Sequence, residues 1–165
     1  MRLALGVSAL VIGAAVACGV AFGHLAQADD MTTFSITSPA KEPITIDLGE
    51  PGRSVGDLRL INIPFTGDEG IAGTLNGMLV TVDVPDGEDT QLDTMGQLIF
   101  DFGGTDSIIV AAESKMVPEG DVLMLDGQQV RAVLGGTGKF VGARGQMLTG
   151  QNPDGTWEAT FQLMD

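Results

Sequence analysis

The run Thr156-Trp157-Glu158-Ala159-Thr160-Phe161-Gln162-Leu163 has a period of two. Trp157, Ala159, Phe161 and Leu163 fall on one face of an extended chain, and Thr156, Glu158, Thr160 and Gln162 on the other. Successive side chains of a strand point to opposite sides, so this pattern marks a strand with one dry and one wet face. Residues 97–102 alternate in the same way, with Leu98, Phe100 and Phe102 on the apolar side. Val130, Ala132 and Leu134 do so opposite Gln129 and Arg131. Further runs rich in Val, Ile, Thr and Phe lie at 33–37, 43–48, 57–63, 73–84, 107–112, 122–125 and 144–149. No helical period survives beyond residue 28, so the domain reads as all-β, with nine or ten short strands at barrel or sandwich spacing.

The punctuation agrees. Pro51-Gly52, Asp86-Gly87, Gly103-Gly104 and Asp154-Gly155 are turn signals, because glycine takes positive φ without steric cost. Asp126-Gly127, between residues 122–125 and 128–134, predicts a two-residue hairpin. Residues 29–42 and the acidic stretch 85–93 read as a flexible N-terminal segment and a mobile loop.

Residues 1–28 have the three parts of an export signal. Arg2 supplies the positive end, residues 3–22 are apolar, and Ala26-Gln27-Ala28 is an A-x-A cleavage site before Asp29. Removing these 28 of the 165 residues leaves 137, enough for one packed domain at 43–165 behind its flexible segment. The location expected is extracellular or the cell envelope. A retained membrane anchor through residues 1–28, or a lipid on Cys18 after the weak lipobox Ala15-Val16-Ala17, are the rival readings. All three place the domain outside the cytoplasm, and any membrane contact is confined to residues 1–28.

The whole chain carries 8 Lys+Arg against 22 Asp+Glu, a net charge of −14. Such a balance disfavours nucleic acid, whose binding rests on cationic contacts to phosphate. The single Cys (Cys18) and single His (His24) lie in the leader, and the chain has no Tyr. Residues 29–165 therefore offer no Ser-His-Asp triad, Cys nucleophile, His base, disulfide or Cys/His zinc site. The acids Asp83, Asp86, Glu88, Asp89 and Asp93 lack EF-hand spacing and read as a solvated loop, so no metal is expected. Asp57 and Asp101 read as exposed strand carboxylates. Leu58 and Leu60, taken as inward, bring Asn62 inward with them, where an amide needs partners or a ligand. The methionines, Met78 and Met147 among them, suit a core or an adaptable apolar pocket.

The run Val133-Leu134-Gly135-Gly136-Thr137-Gly138-Lys139-Phe140 is not a phosphate loop, because Val133 and Phe140 stand where the Walker spacing needs Gly and Ser or Thr. It reads as a tight turn between strands. Continued through Val141-Gly142-Ala143-Arg144-Gly145, it resembles the G-G-T-G-x-F-x-x-A-R-G signature of dirigent proteins and bacterial allene-oxide-cyclase-like barrels. Gly56-Asp57-Leu58, Asn62-Ile63-Pro64-Phe65-Thr66 and Gly73-Thr74-Leu75-Asn76-Gly77 are similar to the first half of the allene oxide cyclase barrel. The two segments span residues 54–149.

The resemblance implies an eight-stranded antiparallel, calycin-like β-barrel with an apolar central cavity. It implies a cofactor-free cyclase or isomerase that shapes a hydrophobic, polyketide-like molecule for ring formation, including by [4+2] addition; the alternative is a barrel that only binds or carries such a ligand. A homo-oligomer, dimer or trimer, goes with it. Arg144, the motif arginine, and Asn62 are the candidate catalytic residues, and Met78, Phe100, Met147, Trp157 and Phe161 the candidate cavity lining. Where dirigent proteins carry two acids in D-D-P-L-T, this chain has Asn62-Ile63, which argues against lignan-type proton transfer.

Secreted material is expected to begin at Asp29, read by intact mass and N-terminal sequencing. A chain beginning at Cys18 with added lipid mass would overturn this expectation.

Overall fold

The computed structural model describes residues 31–86, 90–119 and 122–164. The export segment, and Glu88 and Asp89 of the acidic stretch, lie outside the described residues. Ten strands follow one another: β1 (Met31–Ser38), β2 (Ile44–Ile46), β3 (Leu58–Gly67), β4 (Ala72–Asp83), β5 (Leu92–Asp101), β6 (Ser107–Glu119), β7 (Val122–Leu125), β8 (Gln129–Thr137), β9 (Gly145–Gln151) and β10 (Trp157–Met164). Short 3-10 turns lie at Asp68–Gly70 and Gly138–Phe140.

Eight of these strands form a closed antiparallel barrel in the order β1-β10-β9-β8-β6-β5-β4-β3, and β3 pairs back onto β1. Closure leaves the barrel wall without a free edge, which is how all-β proteins avoid edge-to-edge association. The remaining two strands are continuations. β1 meets β3 at Ile36↔Gly67 and Thr37↔Thr66, and β2 meets the same strand at Ile44↔Leu60 through Ile46↔Leu58. Likewise β7 pairs with β6 at residues 116–119, and β8 pairs with β6 at residues 107–110. Each run along a neighbour is thus interrupted once, at 39–43 and at 126–128.

Residues 31–38 belong to the barrel, which corrects the expectation that 29–42 is a flexible segment. Ile36 and Ser38 are buried there, and all eight β1 residues pair with β10. The Asp126-Gly127 turn is also corrected. It joins two strands that both pair with β6, and it does not close a hairpin between them.

One end of the barrel is closed by aromatic rings. The six phenylalanines at 34, 65, 100, 102, 140 and 161 form one connected cluster, with ring centroids 4.8 Å apart for Phe34–Phe161 and 5.0 Å for Phe100–Phe161. Offset and edge-on pairs of this kind add to the stabilisation that burial alone supplies. Above them pack Ile63, Leu75, Leu98, Ile108, Val110 and Met147. The β10 alternation is as read: Ala159, Phe161 and Leu163 are buried and Glu158 is exposed.

Two other strands take the opposite phase from the one expected. In β3, Ile61, Ile63 and Phe65 face inward, so Leu58, Leu60 and Asn62 face outward. In β8, Arg131 and Val133 are buried, while Val130 and Leu134 are 61% and 59% exposed. Both runs carry apolar residues on both faces, so alternation alone leaves the phase open. The register with the neighbours decides it: Arg131 stands opposite Met147, and Leu134 is the extra residue of a bulge between Val110↔Val133 and Ile109↔Gly135.

The Gly135–Gly138 run begins inside β8 and turns only at Gly138, which has φ 58°. Gly136 is required for a different reason. A Cβ there would lie 2.5 Å from the Ser107 carbonyl oxygen and 2.7 Å from that of Phe140. Gly136→Val is therefore expected to destabilise the barrel by on the order of 3 kcal/mol or more, read as a fall in Tm. An unchanged Tm would show that the backbone can yield there.

Candidate functional site

The barrel is open at the end opposite the aromatic cluster. A narrow well of about 60 Å³ runs inward, lined chiefly by Ile61, Ile63, Leu75, Leu79, Leu98, Phe100, Met147 and Ala159. It joins a wider vestibule of about 470 Å³ under residues 40–53. Lys41, Pro43, Ile61, Leu79, Met116 and Trp157 line both. The interruptions at 39–43 and 126–128 lie at this mouth, where Ser38, Lys41, Pro43, Leu125 and Arg131 contribute to the well.

Between the apolar core and the mouth the inward positions turn polar. Ser38 (β1), Arg59 (β3), Thr81 (β4), Thr94 (β5), Ser114 (β6), Arg131 (β8) and Thr149 (β9) are all buried, one from each of seven barrel strands. Most members find partners within the girdle or its backbone. Arg59 Nη1 donates to Thr81 Oγ1 at 3.4 Å, and Thr94 Oγ1 donates to the Ser114 carbonyl at 3.5 Å.

Arg131 is satisfied only in part. It is 5% exposed. Its Nη2 donates to Ser114 Oγ at 2.6 Å and to Gln129 Oε1 at 3.1 Å, both neutral acceptors. Its Nε and Nη1 have no hydrogen-bond partner in the protein, and neither does Thr149 Oγ1. Arg131 stands opposite Met147 and Thr149 opposite Gln129, so Arg131 and Thr149 are diagonal neighbours on adjacent strands. Burial pulls the Arg131 guanidinium down to about 10, so it is still cationic at neutral pH. A buried guanidinium with donors unmet is costly, and nearly all buried polar groups in folded proteins are paired. Gln129 fixes the arrangement from the mouth side, since its Nε2 donates to the Lys115 carbonyl at 2.6 Å while its Oε1 accepts from Arg131.

Asp57 is buried as well, which corrects the expectation of an exposed carboxylate. It accepts from the backbone N–H of Ser54 (2.8 Å) and of Leu48 (3.0 Å) and from Ser54 Oγ (3.2 Å). The Ser54 and Leu48 N–H bonds hold its carboxyl below the usual carboxylate range. It therefore folds the 48–57 loop over the mouth. Asp101, at the end of β5, is exposed as expected and accepts from the Gly103 N–H.

The residues expected at the site separate into two groups. Phe100, Met147 and Trp157 line the well. Phe161 is fully buried in the aromatic cluster below it. The other three are outside. Asn62 is exposed, donating through Nδ2 to Asn76 Oδ1 at 2.7 Å on the outer wall. Met78 is 54% exposed, because β4 turns Leu75 and Leu79 inward. Arg144 is exposed at the closed end, where its carbonyl accepts from the Met164 N–H, a barrel's length from the mouth. The arginines inside the barrel are Arg59 and Arg131, and Arg131 reads as wet-face in the sequence because its neighbours Val130 and Ala132 are apolar. Among the described residues no group of three or more His, Cys, Asp or Glu could hold a metal ion.

No family profile matches the chain, and no curated protein matches it. Solved structures do. A pyocyanin demethylase is similar over 81% of this chain and all of its own, at 17% identity and a TM-score of 0.63. A pterocarpan synthase dirigent protein is similar over 81% of this chain and 82% of its own, at 16% identity and a TM-score of 0.50. At these identities the likeness is one of fold, and the dirigent-like resemblance seen in the glycine-rich run holds at that level.

Arg131→Met removes a buried charge and leaves an apolar side chain of comparable length. Its Tm is expected to equal or exceed that of the wild type, because replacing buried charge by well-packed apolar atoms is often neutral or stabilising. A loss of more than about 2 kcal/mol would mark the guanidinium as a structural strut.

Proposed function

We propose that this is an exported barrel that takes up a hydrophobic small molecule and holds it in one shape, with Arg131 and Thr149 meeting an oxygen of that molecule. The observation that carries the reading is the buried Arg131 beside an apolar well, with Nε and Nη1 unmet by the protein. The reaction class that suits such a site is cofactor-free isomerisation or ring closure of a polyketide-like compound. Walls that hold reacting atoms within contact supply the entropic part of catalysis. A fixed guanidinium stabilises charge as it develops on a carbonyl or enolate oxygen, at no reorganisation cost during the reaction. The two similar structures are named for a demethylase of pyocyanin and a synthase of a pterocarpan, and a ligand-shaping role keeps to that use of the barrel.

A carrier without turnover is the second reading, and one observation favours it. The lining of the well includes no carboxylate, and residues 29–165 hold no His or Cys, so the commonest general bases, carboxylate and imidazole, are missing from it. The acids near the mouth, Glu42, Asp47 and Asp57, line only the vestibule.

The test uses the purified chain and N-phenyl-1-naphthylamine, whose emission rises in apolar surroundings. The probe is expected to bind and to be displaced by polyketide-like compounds. Product analysis by mass spectrometry is expected to show isomerised or ring-closed material, with a rate loss of ~10²-fold in Arg131→Met and none in Arg144→Ala. Displacement without product would establish the carrier. No binding of the probe would overturn both readings.

A further inference from the structure

We infer that the ligand of this barrel is an anion: an apolar body bearing one carboxylate or other oxyanion, whose charge sits against Arg131. The inference rests on the small-molecule reading above and specifies its chemistry.

The first support is the distribution of charge. Residues 29–165 contain seven cationic side chains and 22 acidic ones. Among the described residues, four of these cations, Lys41, Arg53, Arg59 and Arg131, line the connected well and vestibule, with three acids, Glu42, Asp47 and Asp57. In a chain that is strongly acidic as a whole, the lining of the well and vestibule is formally cationic by one charge. A cleft of one sign with low-dielectric walls focuses its field on the entering ligand.

The second support is the unmet chemistry. The acid best placed to neutralise the girdle, Asp57, has its oxygens bonded to Leu48 and Ser54. Arg131 donates only to neutral oxygens, those of Ser114 and Gln129. Its remaining donors, Nε and Nη1, are buried and unpartnered, and the Thr149 hydroxyl beside it is buried and unpartnered too. A neutral ligand would satisfy hydrogen bonding but leave a buried charge without a counter-charge. An anion satisfies both, and charge-assisted bonds to guanidinium are the stronger kind. Apart from Lys41 and the hydroxyls of Ser38, Ser114 and Thr149, the rest of the well is apolar, which suits an apolar body.

A matched pair of probes tests this. N-phenyl-1-naphthylamine is neutral, and 1-anilinonaphthalene-8-sulfonate is the same skeleton with one anionic group. Trp157, the only Trp of the chain, lines both well and vestibule, so energy transfer from it is strongest for probe bound at this site. The sulfonate is expected to bind at least ~10-fold more tightly than the neutral probe. Arg131→Met is expected to abolish that preference by lowering affinity for the sulfonate at least ~10-fold more than affinity for the neutral probe, and Arg131→Lys to keep part of it. Equal binding, or tighter binding of the neutral probe, would overturn the anionic ligand and leave the apolar cavity standing. An equal loss of both probes in Arg131→Met would overturn it too, by showing a packing role. If neither probe binds the wild type, the small-molecule reading falls with it.

Discussion

The barrel closes on two residue pairs, Ile36 with Gly67 and Thr37 with Thr66. Every other strand contact in the wall follows from one sheet curling until its first and last long strands meet. A seam this short is possible because the chain leaves β3 after Ser38 and returns to the same edge at Ile44. The segment between them is free to lean outward. The matching interruption on β6 does the same across the mouth. The wall is therefore continuous at the aromatic end and splayed at the other, and the cavity lies where the pairing gives way.

That asymmetry sorts the interior by chemistry. Near the closed end every inward position is apolar and the rings interlock. Toward the open end there is space for solvent and ligand, and one level of inward positions becomes Ser, Thr and Arg, with Leu92, Met116 and Leu125 buried beyond it. The transition falls within single strands: β6 runs from Ile108, Val110 and Ala112 to Ser114, and β8 from Val133 to Arg131. A side chain's chemistry thus reports its height in the barrel as well as its face.

Much of the wall was legible in the sequence, because β5 and β10 separate their apolar and polar residues onto opposite faces. β3 and β8 do not. Val130, Ala132 and Leu134 make an apolar face on paper, but so does Val133 with the rest of the inward layer, and only pairing with Met147 and Gly145 settles the phase. The site residue was hidden by the same ambiguity. Arg131 reads as a wet-face cation because its strand neighbours are apolar, and inward polar residues break the rule that alternation relies on. Arg144 drew attention through the motif it sits in, yet the motif builds the closed end. One sequence signal did point to the girdle. Thr81, Thr94 and Ser114 each lie two residues from an inward apolar position, and read together with Arg59 and Arg131 they mark one level around the wall.

The two interruptions have a consequence for how such a barrel can diversify. Residues 39–43 and 126–128 are each bracketed by strand pairing on both sides, so the registers before and after them are held independently. Length or composition can change there without shifting a single pair in the wall. Loops on a rigid scaffold are where sequence variation is best tolerated. These two segments border the well directly, so new ligand preferences can arise by loop replacement alone, while the phenylalanine cluster keeps the fold intact.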